Sequence, residues 1–253
     1  MKIVAISDTH GYLPELPECD VVCICGDILP LHIQKQYEPS LAWLAGPFQD
    51  WALNLKCEKV IFIAGNHDFV FEYLYNNGIH NADGSDNMPH DARRLSIIHS
   101  NIETTLFQQD NPLDRKIVYL QDCGYTHEGV KFYGTPWCPA LKNWAFYGDS
   151  EDLETRFVSI QGNTDVLLTH CPPKYMGQGL VHETNWNYMQ DFGCVELQNV
   201  LENKFGDQDL WVLSGHIHSG KHAVEKYNNI KYRNVSLKDE DYEVSFEPFV
   251  FEI

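Results

Sequence analysis

The sequence predicts an α/β fold built on parallel strands. Three observations lead there. Short apolar, β-branched runs recur along the chain, segments with helical apolar spacing fall between them, and several runs stop at a polar or glycine-bearing cluster. Near-continuous apolar runs of four to six residues suit strands covered on both faces, as parallel strands are.

Taken in order, residues 2–7 form a first strand running into Asp8-Thr9-His10-Gly11, and residues 20–25 a second running into Gly26-Asp27. Residues 37–55 carry Leu41, Leu44, Phe48, Trp51 and Leu55 at helical spacing and are expected to form one helix. A third strand, 59–64, leads into Gly65-Asn66-His67-Asp68. Residues 76–90, rich in Asn, Asp and Gly, are expected to form a surface loop near the entrance of a site. Residues 150–160 lack a capping box but open on acids that favour a helix start. Strand 165–168 leads into Thr169-His170, residues 194–203 form a further helix, and strand 210–213 leads into Ser214-Gly215-His216-Ile217-His218. From residue 223 to 253 the chain turns β-rich, with strands expected at 231–235 and 246–253. No repeat, linker or low-complexity segment divides residues 1–253, which are expected to form a single domain.

Composition narrows the function. The formal charge is −18, from 36 acids against 18 bases, a field that repels polyanions and disfavours duplex nucleic acid as a partner. A small phosphorylated substrate stays open, because divalent metals reverse the sign of charge locally. No apolar run approaches the roughly 18 residues needed to cross a bilayer. The first strand meets Asp8 too early to act as a secretory leader. Eight cysteines without a CxxC pair suit reduced thiols, and a cytoplasmic location is expected.

The chemistry-bearing residues cluster at strand ends. In an open α/β sheet the carboxyl ends of the strands converge on one edge, where ligands bind. Asp8, His10, Asp27, Asn66, His170, His216 and His218 would meet there. Two carboxylates, imidazoles and an amide oxygen form a mixed N/O set suited to Mn, Fe, Zn or Ni. No thiolate belongs to the set, which argues against a structural zinc site.

These motifs resemble those of the calcineurin-like metallophosphoesterase superfamily: DxH, GD, GNH(D/E), a later H and GHxH, all intact and in order from Asp8 to His218. Tyr133-Gly134-Thr135-Pro136-Trp137, Asn143-Trp144-Ala145-Phe146 and Leu168-Thr169-His170-Cys171-Pro172-Pro173 extend the likeness to the metallophosphoesterase-domain branch, known for cyclic-nucleotide and phosphodiester hydrolysis. Some mammalian members of that branch lack the first His of GHxH; this chain keeps His216. The resemblance implies a four-layer α/β/β/α sandwich and two divalent ions, Mn first, with Fe, Zn, Ni or Mg as alternatives. It implies one metal on Asp8, His10 and His218, another on Asn66, His170 and His216, and Asp27 bridging them. It further implies attack on phosphorus by a bridging hydroxide, with His67 as general acid and Asp68 holding its imidazole. Three alternatives stay open on the ligand types alone: a phosphomonoesterase (nucleotide or protein phosphatase), a single-strand nuclease, and a metal-binding regulatory protein with little turnover.

The remaining candidates have simpler readings. His32, His80, His90, His99, His127, His182 and His222 are expected at the surface or in loops, with His90 or His182 able to reach substrate. Trp137, Trp144 and Phe146 are expected to pack rather than to stack on a base. Arg93 and Arg94 suit a solvated helix face as well as a phosphate clamp. Asn234-Val235-Ser236 matches a glycosylation sequon, and Lys238-Asp239-Glu240-Asp241 is expected to be a solvated turn.

Overall fold

The computed structural model describes residues 1–77, 115–139, 141–183, 188–206, 208–220 and 222–253. Most of the loop expected at 76–90 lies outside these residues, as do His80, His90, His99, Arg93, Arg94 and the side chain of His182. The strands, in chain order, are β1 (Lys2–Ile6), β2 (Val21–Cys25), β3 (Lys59–Ile63), β4 (Ile117–Tyr119), β5 (Cys123–His127), β6 (Val130–Thr135), β7 (Cys138–Pro139), β8 (Tyr147–Gly148), β9 (Val166–Thr169), β10 (Leu180–Glu183), β11 (Tyr188–Asp191), β12 (Leu210–Ser214), β13 (Glu225–Tyr227), β14 (Ile230–Asn234) and β15 (Phe249–Glu252).

Two mixed sheets dominate. The first has the order β15-β1-β2-β3-β4, and the second β13-β14-β12-β9-β6-β5. Inner strands pair in parallel, while β15, β13 and β5 run antiparallel to their neighbours. The sheets face each other through one set of alternate residues. Ile3, Ala5, Ile61 and Ile63 of the first sheet share a buried cluster with Phe132, Val166, Leu168 and Leu213 of the second. The other set faces the helices: Val4, Ile6, Val60 and Phe62 pack with Leu44, Phe48 and Ala52, and Leu167 and Val212 with Leu153, Phe157, Leu197 and Leu201. Full burial of each such side chain contributes about 1.5–3 kcal/mol. A one-residue slip would exchange the two faces of a strand, so packing fixes the register and, with it, the strand-end residues. The expected α/β sandwich of helix-flanked parallel sheets is what the chain forms.

Two helices depart from expectation. Residues 37–55 are not one α-helix: Tyr37–Trp43 and Gln49–Asn54 are separated by a π-helical turn, Leu44–Phe48. Pro47 lies in that turn, where it has no N–H to give and its ring crowds the preceding turn, so the chain takes up an extra residue there. The helix Ser150–Val158 is capped one residue earlier than the sequence suggests, the Asp149 carboxylate accepting from the Asp152 N–H at 3.1 Å. Among the described residues no helix is long and apolar enough to cross a membrane, and none of the eight cysteines forms a disulfide.

A candidate dinuclear metal centre

The carboxyl ends of both sheets meet along one edge. A parallel bridge between Ser7, just past β1, and Ser236, just past β14, ties them together there. The Asp8 N–H donates to the Gly26 carbonyl at 3.0 Å, and the His10 N–H to that of Asp27 at 2.9 Å, so the segments after β1 and β2 run side by side. Asp8, His10, Asp27 and His216 all take left-handed backbone conformations, with φ of 52°, 44°, 55° and 68°. Non-glycine residues adopt these at a cost of about 1–3 kcal/mol, which the surrounding hydrogen bonds sustain. Gly65 and Gly215 allow the closest approaches. A Cβ at Gly65 would meet Asp27 Oδ1 and the His170 ring, and one at Gly215 would meet Ser7 Oγ and Asp8 Oδ2.

All seven sequence-derived ligand candidates converge, in two groups. Asp8, His10 and His218 offer ligand atoms within 4.8 Å of one another, and His218 Nε2 lies 3.2 Å from Asp8 Oδ1. On the other flank, Asn66 Oδ1 lies 2.8 Å from His170 Nε2 and 2.9 Å from His216 Nδ1. Asp27 stands between them, with Oδ2 3.9 Å from His10 Nε2 and Oδ1 3.4 Å from His170 Nε2.

The ligand atoms are aimed by a second layer of contacts. His170 Nδ1 bonds the Cys25 carbonyl at 2.8 Å, and His218 Nδ1 that of Asp239 at 2.9 Å, which leaves both Nε2 atoms free to face the site. Asp8 Oδ2 accepts from Ser236 Oγ at 2.7 Å and from the His216 N–H at 2.9 Å. The chemistry of this donor set fits metal ions, and His10 supplies a direct test. Both of its ring nitrogens are buried without a hydrogen-bond partner, a costly arrangement that coordination through one of them would ease.

The charges agree. Burial opposes ionisation of Asp8, but its hydrogen bond to His218 and the charges of His218, His170 and His10 outweigh burial and hold it well below the carboxylate range. Asp27 is likewise held low against burial, chiefly by His170 and His67. Burial pushes His10 and His216 down to about 4, the latter assisted by the charge of His170. Asp8 and Asp27 are thus held as anions, and His10 and His216 as neutral imidazoles, the forms that ligate. His170 and His218 differ: burial opposes their protonation, but Asp27 and Asp8 raise His170 to about 10 and Asp8 raises His218, so a metal ion would have to displace their protons.

His67 stands beside the ligands, with Nε2 3.9 Å from Asp27 Oδ2. Its expected partner is not Asp68. The Asp68 carboxylate accepts from the main-chain N–H groups of Ile28, Leu29 and Gly65, at 2.9–3.2 Å. It clamps the loops after β2 and β3, a task suited to a fully buried acceptor lying under the chain. Burial and the charge of Asp27 still raise it to about 7. The side chain that meets His67 Nδ1 is Gln34.

A cleft of about 340 Å³ opens over the site, walled by Leu141, Trp144, Val181, Ile217, Glu240 and Tyr242. Trp144 packs as expected, and the ring it packs against is that of His67, with centroids 4.3 Å apart. Trp137 and Phe146 are buried as expected. The segment expected as a solvated turn does turn in solvent at Glu240 and Asp241, and it also reaches the site: the Asp239 carbonyl meets His218, and the neighbouring Tyr242 ring lies 5.0 Å from His10. His222 is buried rather than superficial, 3.9 Å from the Phe246 ring. Asn234, in the sequon, is fully buried and donates to the Ile217 carbonyl at 2.6 Å. Gln34, Ser236, Asp239 and Tyr242 carry no metal-ligand spacing. For Ser236 the one available signal was its place at a strand end.

Residues 1–220 match the family described as calcineurin-like phosphoesterase. The whole chain is 28% identical, over 257 residues, to a UPF0046 protein of Caenorhabditis elegans, of whose length it spans 60%. It is 27% identical to the human protein named metallophosphoesterase domain-containing protein 1, of which it spans 71%. In fold it resembles the phosphopantetheinyl hydrolase of Mycobacterium tuberculosis, with a TM-score of 0.50 over 95% of this chain and 90% of that one, at 13% identity.

Proposed function

The chain belongs to the calcineurin-like phosphoesterase family, and on that footing we propose that it hydrolyses phosphoesters with two divalent metals, a small phosphodiester being preferred. The observation that carries this reading is the split of the ligand atoms into two groups about Asp27, with the His10 nitrogens of the first group buried and without a hydrogen-bond partner. Asp8, His10 and His218 would hold one ion and Asn66, His170 and His216 the other, with Asp27 shared. Two ions in such a site, Mn first among the alternatives, supply Lewis-acid polarisation of phosphoryl oxygens and a lowered pKa for water. His67 presents Nε2 to the same space and gives its proton to the departing oxygen. Trp144 and Tyr242 line the cleft and set aromatic surface beside the reacting groups.

The preference for a diester rests on charge. Among the described residues, no Lys or Arg lines the cleft, and Glu240 stands at its mouth. A diester brings one negative charge where a monoester brings up to two, so it meets less opposition from this rim. A cyclic nucleotide joins a single phosphodiester charge to a flat base that Trp144 or Tyr242 can stack upon. We place this chemistry in one domain over residues 1–253, acting in the cytoplasm.

The test is a screen of bis-aryl and mono-aryl phosphates with Mn, Ni, Zn and Mg, alongside metal analysis. The expected result is two metals per chain and faster turnover of the bis-aryl ester. A well-folded protein that takes up two metals yet turns over no ester would leave the regulatory reading in its place.

A further inference from the structure

One contact at the site is not required by the ligand set: the Nδ1 atom of His67 faces the side-chain oxygen Oε1 of Gln34. Gln34 is presented by a tight turn, for its own N–H and that of Ile33 both close on the Pro30 carbonyl, at 3.1 and 3.0 Å. The rest of the His67 ring is held as firmly. Trp144 lies against one face, His10 meets it edge-on with centroids 4.8 Å apart, and the His67 N–H donates to Asp27 Oδ1 at 2.8 Å. The neighbouring Lys35 sets its ammonium 4.7 Å over the Trp144 ring. Residues 34 and 35 therefore hold both the imidazole and the ring it stacks upon.

We propose that Gln34 is a positioning residue that keeps a proton on His67 Nδ1 and so reserves Nε2 for the reaction. The inference rests on the reading of His67 as proton donor. An amide oxygen only accepts, so the nitrogen facing it carries hydrogen in either charge state of the ring. In the imidazolium, Nδ1–H donates to Gln34 and Nε2–H points at the departing oxygen. As the P–O bond breaks, its electron pair stays on that oxygen, which takes the Nε2 proton; the N–H bond pair remains on Nε2 as a lone pair. The Nδ1–H bond to Gln34 is the same before and after, so the ring need not turn. A carboxylate at this place would orient the ring too, but would add a third negative charge beside Asp8 and Asp27 and oppose an anionic ester. The neutral amide orients without that opposition.

The test uses the full chain loaded with zinc, in wild-type, Gln34→Leu and Gln34→Glu forms. Nitrogen-15 NMR of the His67 ring should report the Nδ1–H form in wild type and Gln34→Glu, and mixed tautomers in Gln34→Leu. Metal content should be equal in all three, since Gln34 is no ligand. Turnover is compared on two diesters differing only in the departing group, p-nitrophenolate or a simple alkoxide. Gln34→Leu should lose about 10- to 100-fold in kcat on the alkoxide ester, part of the roughly 10²–10⁴-fold that general acid catalysis supplies. It should lose under about threefold on the nitrophenyl ester, whose departing group needs no proton. A wild-type tautomer pattern in Gln34→Leu, or equal losses on both esters, would overturn the inference and leave the metal-centre reading standing. Undiminished alkoxide turnover in His67→Ala would remove the proton-donor reading itself, and this inference with it.

Discussion

The floor and the rim of the site are built in different ways. The floor is made of Asp8, His10, Asp27, Asn66, His170, His216 and His218, each one to four residues past the end of a parallel strand. Ladder register and buried packing set those positions, so a ligand there inherits the rigidity of two sheets. The rim is made of Gln34, Trp144, Glu240 and Tyr242, all on connecting segments. Their places depend on turns and ring contacts that no ladder imposes. The floor should therefore govern whether metal binds at all, and the rim which ester is turned over and how fast.

The sharpest way to break that division is Asp27→Ala. This variant removes the carboxylate read as shared by the two ligand groups, so metal analysis should show less than two ions per chain. Turnover should fall by more than the roughly 10²–10³-fold that loss of a single charge-stabilising donor costs. Full metal content in the variant would mean that Asp27 is not shared. Ser236→Ala probes the support beneath the floor. It removes the 2.7 Å bond to Asp8 Oδ2, and loss of such an outer partner costs about 10–100-fold in metal affinity. A metal titration should show weaker uptake, with kcat recovered in excess metal. An unchanged titration would assign Asp8 to the main-chain contact with His216 alone.

The same division explains what could be read from the sequence. Near-continuous apolar runs mark β1 and β12 as strands buried on both faces, and the residue types that follow each strand announce chemistry, so all seven floor positions were legible. The flanked parallel sheets were legible for the same reason. The strands β5 and β6 were not, because Gly124 and Gly134 interrupt them and their apolar pattern is short. Asp68 was misread because its motif neighbour His67 suggested a side-chain partner, whereas burial beneath three N–H donors is a property of the loops around it. Tyr242 and the Asp239 carbonyl were hidden among charged residues that look solvated. The reach of residues 238–246 across the sheet edge follows from tertiary contacts and leaves no local pattern.

Tyr242→Ala sharpens the comparison from the side of the rim. The ring lies 5.0–5.2 Å from His10 and His218, and Tyr242 is not among the seven ligand candidates. Metal content should hold, while KM for an aryl or nucleoside diester rises about 2- to 10-fold, the equivalent of one lost aromatic contact of ~0.5–1.5 kcal/mol. Loss of metal in this variant would place Tyr242 with the floor.

The smallest effect concerns how the rim segment is anchored. His222 is buried, bonds the Ser219 carbonyl at 3.0 Å and packs on Phe246 at the end of that segment. Burial holds its pKa below the ordinary 6.5, against the pull of the Ser219 carbonyl. Because the folded value is depressed, the unfolded chain binds the proton more readily. Stability from the neutral ring is then present above 6.5 and lost as pH falls toward the folded value. Urea midpoints of the metal-free protein should drop between pH ~7.5 and ~5, and drop less in His222→Gln. His10 and His216, each pushed down to about 4, act in the same direction, but both proteins share them, so the difference in slope isolates His222. Equal slopes would mean that the Phe246 contact survives protonation, and that the rim is anchored by its turns rather than by this ring pair.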